Sequence, residues 1–437
     1  MAKKKPIQDS PINIDECLLS IIDDAKSRFG DDKVFTGKES ESRLVGLQLP
    51  ALALRYLYQC NIMPLSRVEQ ITGTQESCKS AFLYEKYRWI RCNGGKNYHI
   101  ENESKDSDSL RLSIMNYDYS AVDPFISESL DEWQTYLTYL TGDKAVKRVL
   151  IGTKEAPGPG KTVPIGFGVD SLTAKASREV QNKMEEQGYA DRVHPVDALK
   201  LSSYLKFMPQ KLVGWPFWFG AINHLKPQKT AVGAIDYHTP GGYSIKFQET
   251  FETRLARIAD VDSGDNGVLI KFVTQKNSLG PGRKTINAAF RWYFDKDTGR
   301  QRSYWDWHSA TIDLLDKGLK SGSMRSSCME VCDIHTKSAG GKKVWSRALG
   351  IPESDPVSYG EAGMVLESRP ELLTQLHKLL GVREYSIFKP GIDYNQQLKN
   401  AVVAVERAEG YAAEYREGEE VVDDIEAVGE TPPEGDD

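Results

Sequence analysis

The segment Gly73-Thr74-Gln75-Glu76-Ser77-Cys78-Lys79-Ser80 constrains this chain more than any other. Ahead of it, Ser66 to Thr72 carries the apolar anchors Val68 and Ile71 of a short strand. Behind it, Leu83, Tyr87 and Ile90 recur at helical spacing. Strand, glycine-opened loop and helix in this order predict a phosphate-binding turn at the end of a sheet strand. Backbone N–H groups at a helix N-terminus bind phosphate oxygens, Lys79 supplies a mobile positive charge, and the Ser80 hydroxyl can ligate Mg²⁺. The pattern is Gly-x4-Gly-Lys-Ser/Thr with one departure, Cys78 in place of the second Gly. An ordinary capped turn uses the same residue types, and the loop alone does not separate the two readings.

Elsewhere the periodicities predict alternating strands and helices. Ile14, Leu18, Ile21, Ile22, Ala25 and Phe29 form an amphipathic N-terminal stripe that Gly30 ends, and Leu49 to Tyr58 suits a buried helix. Lys96 to Glu101 predicts a strand ending in Glu101-Asn102-Glu103, and Ser104 to about Gly160 is a polar passage with few clear elements. Val163 to Val169 predicts a strand ending at Asp170, although Pro164, Gly166 and Gly168 weaken it. An acidic residue there is placed either to ligate Mg²⁺ or to cap the next helix. Ser177 to Arg192 is charged and suits an exposed loop. Leu201, Leu205, Met208 and Leu212 mark a helix that Pro209 should kink or end.

Trp215 to Ile222 is an apolar strand feeding the segment Leu225–Gly242, which has no apolar periodicity. Gly267–Lys276 and Asn287–Phe294 predict further strands. Ser368-Arg-Pro-Glu371 predicts a capping box for a leucine-rich helix that Gly381 stops. Cys328, Cys332 and His335 offer three zinc ligands and no near fourth, so plain cysteines are the preferred reading. Trp292, Tyr293, Tyr304, Trp305 and Trp307 are of a type that stacks on bases, yet aromatics in alternating strands more often build core, and core is expected.

Composition narrows the class. No apolar run approaches the roughly 20 residues of a membrane span, and the Met-Ala-Lys-Lys-Lys start lacks a signal-peptide stretch, so no membrane partner and a cytoplasmic address are expected. Six cysteines in 437 residues do not resemble a disulfide framework. Net charge is −6, but Glu417–Asp437 holds ten acidic residues and no Lys or Arg, so residues 1–416 carry +4. Such a tail can compete with DNA for the basic surface of the body or simply aid solubility.

From about Phe29 to the tail, five pieces in order resemble bacterial and phage RecA recombinases. Arg67–Gly73 with its loop is similar to that family's first core strand and Walker A. Ile100-Glu-Asn-Glu103 resembles the strand end whose Glu polarises the attacking water. Val169–Lys175 resembles the Walker B segment and the start of the first DNA-binding loop. Phe219–His224, the loop 225–240 and Gly241-Gly242-Tyr-Ser-Ile-Lys246-Phe247 resemble the strand, second DNA-binding loop and Gly-Gly-x-x-x-Lys-Phe. Leu269–Asn277 with Gly280-Pro281 is similar to the segment whose two lysines reach a neighbour's ATP. Three positions depart: Cys78, Thr274 at one of those lysines, leaving Lys276, and His224 at a γ-phosphate-sensing Gln.

The resemblance implies an α/β fold: a RecA-like P-loop ATPase core (43–320) with a mostly parallel central sheet. An N-terminal helix and polymerisation segment (1–42), a small α/β C-terminal domain (321–413) and an acidic, disordered tail (414–437) would complete it. It implies a DNA-dependent ATPase with ATP and Mg²⁺ as cofactors. Gly73 to Ser80 and His224 would bind ATP, Ser80 and Asp170 would hold Mg²⁺, and Glu103, Lys79 and Lys276 would serve catalysis. Arg178, Lys183, Arg192, Lys226, Lys229, Thr230, Gly241 and Gly242 would contact DNA. Expected partners are single- and double-stranded DNA, further copies in a helical filament in a bacterial cell or phage-infected bacterium, and a single-stranded-DNA-binding protein or loader. Two alternatives stand beside it: a non-hydrolysing recombination mediator, which Cys78 and Thr274 favour, and a RecA-fold helicase or motor.

Overall fold

Among the described residues, nine strands pair into one sheet. Along the chain they are β1 (Arg67–Gly73), β2 (Lys96–Glu101), β3 (Val122–Ile126), β4 (Ile165–Asp170), β5 (Phe217–His224), β6 (Phe251–Asp260), β7 (Gly267–Asn277), β8 (Thr285–Asp295) and β9 (Arg300–Trp305). Their order across the sheet is β9-β8-β7-β6-β1-β5-β4-β2-β3. From β6 to β3 neighbouring strands run parallel, and β7, β8 and β9 extend the sheet antiparallel. The fold is mixed α/β around a large, mostly parallel sheet. The computed structural model describes residues 25, 27–28, 44–103, 108–187, 194–229, 235–238, 244–261, 266–320, 327–337 and 343–401. Leu44–Leu398 forms one compact unit; Met1–Arg43 with Lys399–Asp437 forms a second, of which few residues are described.

β4 shows how side chains are sorted between the two faces, since successive strand residues point to opposite sides. Ile165, Phe167 and Val169 join Val68, Ile100, Phe217 and Phe219 in a core covered by the helices Leu130–Thr141 and His194–Leu212. Gly166 and Gly168 face the helix Lys79–Cys92. A Cβ on Gly168 would sit 1.7 Å from the Tyr87 hydroxyl, and one on Gly166 would sit 2.7 Å from Cδ1 of Ile90. The glycines that weaken the strand in sequence are what let this helix approach the sheet.

Behind that helix, Lys86 lies fully buried. Its ammonium is 3.1 Å from Oε1 of Glu69 and donates to the Tyr58 hydroxyl at 2.9 Å. Tyr58 and Trp218 both donate to Glu69, at 2.6 and 3.3 Å. Burial is the main influence on Lys86 and pulls its pKa down, with Glu69 opposing. Further along the same face, Phe82, Phe272, Trp305 and Trp307 pack ring to ring. Trp305 and Trp307 are therefore core, as expected, while Tyr293 and Tyr304 are exposed.

Several expectations are corrected. The passage after Ser104 is structured, with helices Asp108–Ile114, Leu130–Thr141 and Val146–Ile151 and strand β3. Leu130, Trp133, Leu137 and Leu140 share a buried face, and Ser129 caps the helix by accepting from Glu132 N. Arg178–Gln187 is helical rather than a loop. Pro209 does not end its helix, which continues to Leu212. Part of Leu225–Gly242 is paired, Lys226–Lys229 lying antiparallel to Ile235–His238. The Ser368 box does not form: Ser368 Oγ donates back to Val365 O and Arg369 is the cap of Pro370–Leu380. The reciprocal box is instead at Ser358 and Glu361. Cys328 and Cys332 are buried in apolar surroundings with Ile312, Leu315, Leu366 and Leu376. His335 stacks on Trp345 and pairs with Asp333, so these three do not make a zinc site.

The segment after Ser327 packs on the helices Trp307–Lys320 and Leu52–Tyr58. It ends in a short strand, Ser386–Ile387, paired parallel with Val45–Gly46.

Candidate functional site

β1, β5, β4 and β2 are neighbours and parallel, so their carboxyl ends lie side by side. Gly73 is in register with His224, and Glu101 with Asp170. Open α/β sheets bind ligands at this edge. The loop leaving β1 turns tightly: a Cβ on Gly73 would lie 2.4 Å from Ser77 Oγ and 2.5 Å from Leu255 O, so no larger residue fits. Thr74 O accepts from Ser77 Oγ at 2.8 Å and from Lys79 Nζ at 2.6 Å. Gln75 and Glu76 are exposed.

Cys78 caps the helix in the left-handed region, at φ 58°. A glycine adopts that backbone freely, whereas a side chain there costs about 1–2 kcal/mol. Cys78 stands where the Gly-x4-Gly-Lys-Ser/Thr pattern has its second Gly, and the backbone still makes a glycine-like turn. Burial pushes the Cys78 thiol up to about 11, with Arg257 and Lys79 opposing. It is a neutral thiol at ordinary pH and no nucleophile.

Ser80 Oγ donates to Asp170 Oδ2 at 2.5 Å. Asp170 is buried, and that burial raises its pKa against the Ser80 hydrogen bond. It does not cap a helix, because the next helix begins only at Arg178. A hydroxyl and a carboxylate in contact beside the loop 73–80 fit the oxygen donors that Mg²⁺ takes. Glu103 follows β2, and its Oε1 contacts Nε2 of His224 at the end of β5. Leu225 N donates to Gly73 O at 3.1 Å, which ties the root of the Lys226–Lys229 strand to the loop 73–80.

The structure thus brings together Gly73 to Ser80, Glu103, Asp170 and His224. Lys276, expected to act on a neighbouring copy's ATP, lies away from them within the chain. Lys276 pairs with Glu252, which pairs with Gln70, three residues before Gly73 and two strands away. Its ammonium meets Lys246 O, and Thr274 is buried, donating to Leu57 O at 2.7 Å. Arg178 and Lys183 lie on a helix that also carries Glu179, Glu185 and Glu186, and Lys183 pairs with Glu179. That helix presents no net positive charge. Lys226 is exposed. Lys229 ends its short strand, and Arg192, Thr230, Gly241 and Gly242 fall outside the described residues.

Two contributors carried no sequence signal. Arg257 on β6 reaches Glu76 of the loop at 3.4 Å, which depends on β6 lying beside β1. Asn102 Nδ2 donates to Ser171 O at 2.9 Å and ties the end of β2 to that of β4. A separate cleft of about 900 Å³ lies over β7 to β9, with Arg291, Tyr293, His308 and Glu361 among its walls, away from this edge. No protein-family model matches the chain, and no curated protein gives a significant match.

Proposed function

We propose that this chain is an ATP-hydrolysing recombinase with a RecA-like core, which assembles on single-stranded DNA and pairs it with a homologous duplex. The observation that carries the reading is the meeting of one phosphate loop, one buried aspartate, one glutamate and one histidine at four adjacent strand ends. Loop N–H groups and Lys79 hold the phosphates. Mg²⁺, held by Ser80 and Asp170, neutralises charge on the phosphates when bound. Glu103 accepts the proton of the attacking water, and for that its carboxylate leaves His224. His224, once released, donates to the terminal phosphate. Because β5 runs from His224 directly into the Lys226–Lys229 strand, that contact biases the DNA-facing segment. Lys226 and Lys229 contact phosphates without reading bases, which suits a protein that leaves the homology test to base pairing.

The test is ATP hydrolysis with and without single-stranded DNA, for wild type and Lys79→Ala. DNA-stimulated turnover lost in Lys79→Ala supports the reading. A specific observation favours the mediator alternative: Lys79 already donates to the loop's own carbonyl, beside a cap residue that is not glycine. ATP-dependent DNA binding without turnover selects the mediator. Absence of both signals overturns both readings.

A further inference from the structure

Glu103, Asp170 and His224 come from three different strand ends, yet each offers one ligand atom and these atoms lie within 4.8 Å of one another. Two observations set the trio apart from a surface cluster of acids. It includes an imidazole, and one member, Asp170, is only 5% exposed. Asn102 Oδ1 and Ser171 Oγ, each next in sequence to a member of the trio, are buried without a hydrogen-bond partner among the described residues. A buried polar atom left unpaired costs about 1–3 kcal/mol, and in native structures it commonly marks a bound water or ion.

The geometry points to a transition-metal site built by Glu103, Asp170 and His224, taking a borderline divalent cation such as Mn²⁺, Zn²⁺ or Co²⁺. Mg²⁺ and Ca²⁺ take oxygen donors, whereas an imidazole suits the transition ions. Ligand atoms about 2.0–2.2 Å from a metal stand roughly 3–4 Å apart, so the trio needs only to contract slightly while Glu103 and His224 part to admit the ion. Three protein ligands leave coordination positions open, the pattern of a reactive rather than a structural site. Asp170 is shared with the Ser80 side, where the oxygen-only position lies.

Metal binding here does not require the nucleotide reading, but its consequence rests on it. An ion on this trio engages the two side chains assigned to water activation and terminal-phosphate contact. Its occupancy therefore sets whether bound ATP turns over.

The experiment uses the full chain, treated with EDTA, desalted and free of nucleotide, titrated with Mn²⁺ alone and followed by electron paramagnetic resonance. We expect one Mn²⁺ per chain, not displaced by equimolar Mg²⁺. The affinity should fall by about tenfold or more in His224→Gln and in Asp170→Asn. No uptake by wild type, or uptake unchanged in His224→Gln, overturns the site. Should a variant fail to fold, Co²⁺ added to wild type decides: a visible spectrum with nitrogen ligation supports the site, and the spectrum of aqueous Co²⁺ overturns it. Binding of a fluorescent ADP analogue is measured on the same samples. Metal uptake without nucleotide binding keeps this site and overturns the ATPase reading; nucleotide binding without metal uptake does the reverse.

Discussion

Cys78 and Glu249 carry the sharpest consequences at the scale of single residues. Cys78 holds a left-handed backbone, so Cys78→Gly should stabilise the fold by about 1 kcal/mol, read as a rise in Tm, and, on the proposed reading, leave nucleotide affinity equal or higher. A β-branched Cys78→Val should lower both. Glu249 is 2% exposed, neither of its carboxyl oxygens has a hydrogen-bond partner among the described residues, and burial pushes its pKa up to about 8, Glu252 adding and Lys276 and Lys246 opposing. The folded state keeps a proton that the unfolded chain releases near pH ~4.3. Stability from this group is complete at low pH and is lost as pH rises towards about 8. Denaturant titrations at pH 5 and pH 9 should show wild type losing a few kcal/mol relative to Glu249→Gln, which cannot ionise. Equal pH dependence in the two proteins would count against the buried acid.

Between elements, the helix Lys79–Cys92 is fixed to the sheet by Lys86 on Glu69 and by Tyr87 over Gly168. Lys86→Met leaves Glu69 buried without its cation and should cost about 3–5 kcal/mol in urea unfolding, with Lys86→Met/Glu69→Gln recovering part of it. Gly168→Ala drives a methyl into the Tyr87 hydroxyl and should cost about 1–3 kcal/mol, eased but not abolished by Tyr87→Phe. Much at this scale is legible in the sequence. Val68, Ile71, the loop and the Leu83–Ile90 face give β1 and its helix because their periodicity is strong. Asp170 and Glu103 stand at strand ends for the same reason. What is not legible depends on packing partners. Gly166 and Gly168 look like strand breakers until Tyr87 and Ile90 are set against them. Arg178–Gln187 looks like a loop because its charges hide a short helix. Arg257 joins the site only through the pairing of β6 with β1, and the meeting of Glu103 with His224 needs the strand order itself.

For the molecule as a whole, charge is divided between a body at +4 and a terminal stretch of ten acids. On the proposed recombinase reading, removing 417–437 should tighten binding to single-stranded DNA and raise the salt concentration at which the complex dissociates, checked by fluorescence anisotropy in a salt titration. An unchanged salt midpoint would assign the tail to solubility alone. The pairing of Val45–Gly46 with Ser386–Ile387 closes the compact unit with its own last strand. That closure has a meaning in time as well as in space. A ribosome adding roughly 5–20 residues per second must make about 340 more residues after Val45 before the partner strand exists, and must then clear the exit tunnel. For some tens of seconds of each synthesis, the apolar strand Val45–Gln48 waits with one edge uncovered. The strand Val45–Gln48 is thus made early and completed late, and its open edge is meanwhile within reach of chaperones and of sister nascent chains.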